Sequence, residues 1–258
     1  FVRDAVQKAT DKQVHIVPHP VPEREDSGET RSQFSLPSDD YLFLCSLDLK
    51  SYSSRKNPMA AYEAFCRAFP ADSGEDIRAR LVVKLHGGAE QSEQDRQIVR
   101  RLLSDDRVIL IDVPLSGKRY ASLQRLCDGF ISLHRSEGFG MNIAEAMRLG
   151  KPVIATAYSG NTDYFDSSVG YPVRYKLVPV QPGQYPHGTG QVWAEPDIEH
   201  AASLLRRVYE HQEETRSKGR KASQYMIEHY STEAVAKIVR KRYEKLDQEV
   251  LASLHDEG

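Results

Sequence analysis

The stretch Gly129–Asp163, GFISLHRSEGFGMNIAEAMRLGKPVIATAYSGNTD, decides the fold. Residues 129–133 form a short apolar run of strand type, and a loop, 134–138, follows. Residues 139–149 have helical composition (Met, Ile, Ala, Glu, Ala, Met, Leu), and Gly150 stands where a helix C′ glycine belongs. Pro152 opens a second apolar strand over 153–156, and Ser159-Gly160-Asn161 leads from loop into helix. Strand, loop, helix and strand in that order build a parallel sheet. Ligands of open parallel sheets sit beyond the carboxyl ends of the strands, which points to the loop 134–138.

The start of the helix after that loop offers free backbone N–H groups and the positive end of a dipole, suited to phosphate or carboxylate. Gly138 and Gly140 let a ligand come close to the backbone. Glu137, just ahead of the helix, either satisfies the dipole or meets a ligand. Asn142, Glu145 and Arg148 recur every three residues as one polar stripe on an otherwise apolar helix. Glu145 either pairs with Arg148 or, between Ala144 and Ala146, leaves room for a ligand hydroxyl.

Glu137 and Glu145 enclose seven residues inside EGFGMNIAEAMRLGKPVIAT. Together with EGFG, AEAM, the GKPVIAT strand and the following SGN, this resembles the E-x7-E signature of retaining glycosyltransferases of GT-B architecture, family 4. In that family the stretch belongs to the C-terminal domain, which binds the nucleotide-sugar donor. The resemblance implies a Rossmann-like parallel sheet with helices on both faces and a helical C-terminal tail. It gives Glu137 the donor sugar and Glu145 the nucleotide ribose. It makes Gly138, Phe139, Gly140, Met141, Asn142 and Ile143 the backbone cradle of the donor. The cofactor expectation is none beyond that nucleotide sugar, which is a substrate.

Elsewhere the chain supplies the partners of this segment. Residues 41–47, YLFLCSL, read as the first strand of the main domain, and Asn57-Pro58 opens a helix with Asn as cap and Pro at its first position. Arg55 and Lys56 directly before that helix oppose its dipole. They are either a solvated pair or two cations around a bound anion. RKNP resembles the family's phosphate-binding basic pair, which implies that Arg55 and Lys56 hold the donor diphosphate.

Residues 80–86 and 107–113 read as the next strands, with Gly87-Gly88 a turn and 90–103 a helix between them. By resemblance Ile111, Asp112 and Val113 frame the base. Ser116 caps a helix over 116–127. His134 is either a hydrogen-bonded structural residue or a group that positions the sugar. Ser159 is a candidate cap, residues 169–173 a sixth strand, and the Pro- and Gly-rich run 175–195 with Trp193 a functional loop. Residues 198–254 read as helical, broken near Gly219 and Tyr230, with Ser231 capping the last helix.

The chain has 258 residues, 40% hydrophobic and 28% charged, as in a soluble globular protein. A net charge of −2 gives no electrostatic case for nucleic acid. No apolar run is long enough to span a bilayer, so a membrane is at most a peripheral partner and a cytoplasmic location is expected. Cys45, Cys66 and Cys127, scattered and odd in number, read as free thiols. No Asp-x-Asp pair occurs, so no metal is predicted.

Residues 1–21, with a helix over 2–9 and a strand over 13–17, read as the end of a preceding domain; the resemblance implies that this is the acceptor-binding half and that its bulk lies outside this chain. Residues 22–38 read as a linker, 39–230 as the donor domain and 231–258 as the terminal helix. The resemblance implies transfer of a hexose, GDP-mannose being the first expectation for the donor, to a glycan or lipid-linked acceptor. A dinucleotide oxidoreductase fits poorly, because Ile143 replaces the third glycine of G-x-G-x-x-G. An epimerase or phosphorylase of the same architecture, or a binding module without turnover, are the other readings.

Overall fold

The structure, a computed structural model, describes residues 1–72, 74, 76–86 and 92–256. The elements run in chain order: α1 (Val2–Gln7), β1 (Tyr41–Asp48), α2 (Ser53–Lys56), α3 (Pro58–Ala68), β2 (Ala79–His86), α4 (Glu93–Leu103), β3 (Val108–Ile111), α5 (Gly117–Leu126), β4 (Gly129–Ser132), α6 (Met141–Arg148), β5 (Val153–Thr156), β6 (Tyr171–Val173), β7 (Tyr175–Pro179), β8 (Val192–Pro196), α7 (Ile198–Glu210), α8 (Gln212–Tyr230) and α9 (Thr232–Asp256). The expected turn at Gly87-Gly88 and the start of the helix expected from residue 90 lie outside the described residues.

Six strands form one sheet in the order β3-β2-β1-β4-β5-β6. Every pairing in it is parallel. Their sequences are nearly continuous apolar runs, because both faces are covered. Phe43, Cys45, Leu81, Val83 and Ile131 pack on one side with residues of α3, α4 and α7. Leu42, Leu44, Val82, Phe130 and Val153 pack on the other with residues of α5, α6 and α8. The order reverses between β1 and β4, so the loops leaving these two strands diverge and open a crevice at their carboxyl ends.

The end of α6 follows the reading of Gly150. Its φ is 71°. Gly150 N donates to Met147 O at 2.9 Å and Lys151 N to Ala146 O at 3.0 Å, the two bonds of a Schellman motif. Ser116 and Ser231 cap α5 and α9 as expected, accepting from Arg119 N at 3.3 Å and Ala234 N at 3.2 Å.

Four expectations are corrected. Gly219 does not break a helix: it is buried within α8, where a Cβ would lie 2.0 Å from Gly150 O. The glycine is there to let α8 approach the end of α6, and the break falls at His211 instead. Residues 13–17 form no strand. The run 175–195 is no open loop, since β7 and β8 pair antiparallel within it. Asn57 occupies the cap position of α3 without a side-chain cap bond. Its backbone is left-handed at φ 52°.

Candidate active site

The crevice holds a cavity of about 270 Å³. Lys56, Glu137, Phe139, Gly140, Met141, Asn142 and Ile143 all line it, together with Ser46, Ser132 and His19. Three segments far apart in sequence thus converge: the stretch at His19, the end of β1 with the turn after it, and the loop after β4 that runs into α6.

Gly140 sets the entrance to α6. It has φ 86° and provides no side chain to cap the helix. The first N–H groups of α6 therefore face the cavity without an intrahelical acceptor. Tyr164 fixes this turn from behind, its hydroxyl 2.7 Å from Phe139 O and 2.9 Å from Gly140 O. Gly138 adjoins the turn. A Cβ on Gly160 would lie 1.8 Å from Gly138 O, so only glycine allows the loop after β5 to pack there.

Glu137 is held from several directions. Lys56 Nζ lies 2.5 Å from Oε1 and Arg55 Nη1 3.3 Å from Oε2. Its backbone N donates to Ser159 Oγ at 2.7 Å, and its O accepts from Gly160 N at 2.9 Å. The hydroxyl of Ser159 thus serves Glu137, and not the helical turn that follows, where it makes no cap bond. Burial by itself would raise the Glu137 carboxyl; the neighbouring cations, Lys56 first and Arg55 after it, outweigh burial and hold it below the usual carboxylate range.

Arg55 and Lys56 stand directly ahead of the α3 cap residue Asn57, as expected, and also form the last turn of the short helix α2. At that end of α2 the cations complement a helix terminus, which offsets their opposition to the start of α3. Arg55 also donates from Nη1 to Ser136 O at 2.7 Å. Tyr52, Asn57 and Ser159, which flank this cluster, all have positive φ (65°, 52° and 77°). Non-glycine residues held in that region cost about 1–3 kcal/mol each and gather at functional sites.

His134 is fully buried. Its Nε2 lies 3.2 Å from Tyr158 O and 3.1 Å from Asn161 Oδ1, while Asn161 Nδ2 donates to Thr156 O. Nε2 therefore carries the proton and Nδ1 accepts from Ser132 Oγ at 3.1 Å. Burial pushes its pKa down, so the ring is neutral. It ties the loops after β4 and β5 together and does not line the cavity.

Glu145 does not line this cavity; it lines a second one of about 240 Å³ between α5, α6 and residues 22–24. It pairs neither with Arg148 nor with solvent: Arg24 Nη2 lies 2.5 Å from Oε1 and Gln124 Nε2 3.0 Å from Oε2. Burial outweighs both partners and raises its carboxyl above the usual range. Ile111 is buried at the end of β3 and Asp112 lies exposed beyond it; neither lines the two cavities beside α6. A larger cavity of about 620 Å³ lies at the opposite, amino end of the strands, among paired charges such as Arg31 and Asp128. It lacks the converging loops of the crevice.

Sequence reading missed His19 and Tyr164 as parts of this site, whereas Ser159 and Gly160 lie in the SGN that it singled out. His19 packs on Phe139 with ring centroids 5.5 Å apart, yet lies 120 residues earlier in the chain. Only SGN carried a local signal.

The fold and crevice define a Rossmann-like domain with an anion-suited site at its switch point. The chain belongs to the glycosyl transferases group 1 family, whose model matches residues 26–226. No curated protein matches it. Among solved structures it is similar to sucrose-phosphate synthase from Thermosynechococcus elongatus, with 18% identity, TM-score 0.69, and coverage of 95% of this chain and 56% of that one. It is similar to HepE from Anabaena in complex with UDP-glucose, with 18% identity, TM-score 0.60, and coverage of 84% and 51%. It is also similar to the C-terminal domain of the group 1 protein LpcC from Francisella tularensis, with 14% identity, TM-score 0.57, and coverage of 81% and 96%. At these identities the likeness is one of fold. The chain spans about half the length of the first two. Among the described residues no helix is long and apolar enough to cross a membrane.

Proposed function

We propose that this chain is the donor half of a retaining, metal-independent glycosyltransferase that moves a hexose from a nucleoside diphosphate to a glycan or lipid-linked acceptor. Residues 39–230 form the donor domain, and residues 1–21 and α9 lead towards an acceptor domain. The observation that carries this reading is the convergence of Lys56, Glu137 and the uncapped start of α6 on one cavity. Family membership supports it.

Transfer breaks the bond between the anomeric carbon and the phosphate oxygen. The bonding electrons leave with the diphosphate, and cationic character grows on the sugar ring. Lys56, Arg55 and the first amides of α6 offset the growing charge on the leaving group. Glu137, held ionised by its cations, stabilises the sugar cation. These cations supply the charge that a metal would bring. Glu145 takes the ribose hydroxyls through lone pairs left free by Arg24 and Gln124.

GDP-mannose is the sequence-based first choice of donor, and the UDP-glucose in the HepE complex supports testing UDP sugars alongside it. The test is isothermal titration with UDP-, GDP- and dTDP-sugars, followed by turnover with and without acceptor and with EDTA. Binding of at least one donor and indifference to EDTA are expected. No binding to any of them overturns the reading. Binding without turnover favours a module that acts only with a further domain, in keeping with a chain that spans about half the length of sucrose-phosphate synthase and HepE.

A further inference from the structure

The β7–β8 hairpin has no counterpart in the six-stranded sheet, and the proposed chemistry does not use it. Its residues are nonetheless fastened to the turn that carries the site's two cations, at two separate places.

The first place is Arg135, which follows the buried His134 in the loop after β4. Its guanidinium grips Glu195 of β8 in a fork, Nε to Oε2 at 2.7 Å and Nη2 to Oε1 at 3.0 Å. The third nitrogen, Nη1, donates to Ser54 O in α2 at 2.6 Å. The backbone of Arg135 repeats the pattern. Its N donates to Arg55 O at 2.8 Å, and its O accepts from Ala194 N at 3.0 Å. Trp193, buried on β8, lies beneath the guanidinium, 5.4 Å from ring centroid to Cζ. One residue therefore joins β8, the loop after β4 and the cation-bearing turn. A planar fork bonded on both edges has little freedom left.

The second place is the connection between β7 and β8. Tyr185 there meets Tyr52 edge-on, with ring centroids 5.1 Å apart. Tyr52 is the residue of positive φ whose carbonyl accepts the N–H groups of Arg55 and Lys56, each at 3.1 Å. Arg55 and Lys56 sit on a helix of four residues, too short to hold its own shape in water. Its geometry has to be imposed from outside.

We infer that the hairpin is a strap that sets the position of Arg55 and Lys56, with Arg135 and Glu195 as positioning residues for diphosphate binding. Neither residue lines the cavity beside α6. They act through the turn and not on the ligand. The inference rests on the reading of Arg55 and Lys56 as the diphosphate site.

Glu195→Ala tests it, with Glu195→Gln as a milder variant that keeps the side chain's size and one acceptor. Affinities for a nucleoside diphosphate that the wild type binds, for the matching nucleoside and for inorganic pyrophosphate are measured by titration, and folding by thermal melting. With the strap loosened, affinity for diphosphate and pyrophosphate should fall about three- to tenfold in Glu195→Ala and less in Glu195→Gln, corresponding to the weight of one or two charge-assisted bonds shared with solvent. Nucleoside affinity should stay unchanged. A uniform loss for all three ligands would mark Glu195 as merely structural, and no loss in a folded variant would remove the strap's role; either result overturns the inference while leaving the donor site standing. If the wild type binds neither diphosphate nor pyrophosphate, the donor reading itself fails, and the strap with it.

Discussion

Replacing Lys56 with alanine removes the cation nearest to Glu137 and one wall of the crevice cavity. In the free protein Lys56 Nζ sits 2.5 Å from Glu137 Oε1, with 17% and 11% of the two side chains exposed. A hydrogen bond to a charged group at such a site is worth about 1.5–3 kcal/mol. At about 1.4 kcal/mol per tenfold, a diphosphate that loses this donor should bind about 10- to 100-fold more weakly. Arg55 remains, 3.3 Å from Glu137 Oε2, and keeps the carboxylate from being left alone. The nucleoside end of a donor makes no contact with Lys56 in this account, so nucleoside affinity should not move.

The assay is titration calorimetry of wild type, Lys56→Ala and Lys56→Met with a nucleoside diphosphate and its nucleoside, at one fixed ionic strength because exposed charges are screened by salt. Methionine keeps the apolar stem and drops the charge, so both variants should lose diphosphate affinity alike. Equal loss for nucleoside and diphosphate would refute the reasoning, and so would a loss in the alanine variant alone, which would assign the effect to packing.

Other consequences follow from the loops around Glu137. Gly160→Ala puts a Cβ 1.8 Å from Gly138 O and 3.0 Å from Glu137 O. It should cost about 1–3 kcal/mol of stability by overpacking and should abolish diphosphate binding. Gly117→Ala, with nothing within 4 Å of its Cβ, is the control expected to leave both unchanged. His134 is neutral and its pKa is lowered by burial. Below the unfolded-state value of about 6.5 the unfolded chain takes up a proton that the folded chain refuses, so stability falls as pH drops from there towards the folded value, by up to about 1.4 kcal/mol per pH unit. Denaturant melts of wild type and His134→Gln between pH 7.5 and 5 should show a shallower slope in the variant; parallel slopes would assign the dependence to other histidines.

The local signals of the chain were readable because backbone chemistry writes them into a few adjacent residues. Gly150, Ser116, Ser231 and the Asn57-Pro58 step each announced an element's end, and the apolar runs announced all six strands of the sheet. Gly219 misled because a glycine inside a helix has two causes. Flexibility breaks the helix, whereas close packing, here against Gly150 O, keeps it whole. The hairpin escaped notice because its β7 side chains are largely exposed and its prolines resemble those of a loop.

The site was legible in part. Glu137 and the residues from Phe139 to Ile143 are contiguous and were read together. Their meeting with Lys56 was legible only through the resemblance, since nothing local shows which loops a topology brings side by side. Glu145 shows the same limit. Its partner Arg24 lies in a stretch read as linker, and its orientation towards Gln124 depends on how α5 packs against α6.

The most direct test of the central claim is a crystal structure of this chain with a bound nucleoside diphosphate, UDP and GDP each being tried. The account predicts phosphate oxygens within hydrogen-bonding distance of Lys56 Nζ and of the backbone N–H groups of Met141 to Ile143. Phosphates bound instead at the amino ends of the strands, among Arg31, Lys151 and Arg216, would contradict it.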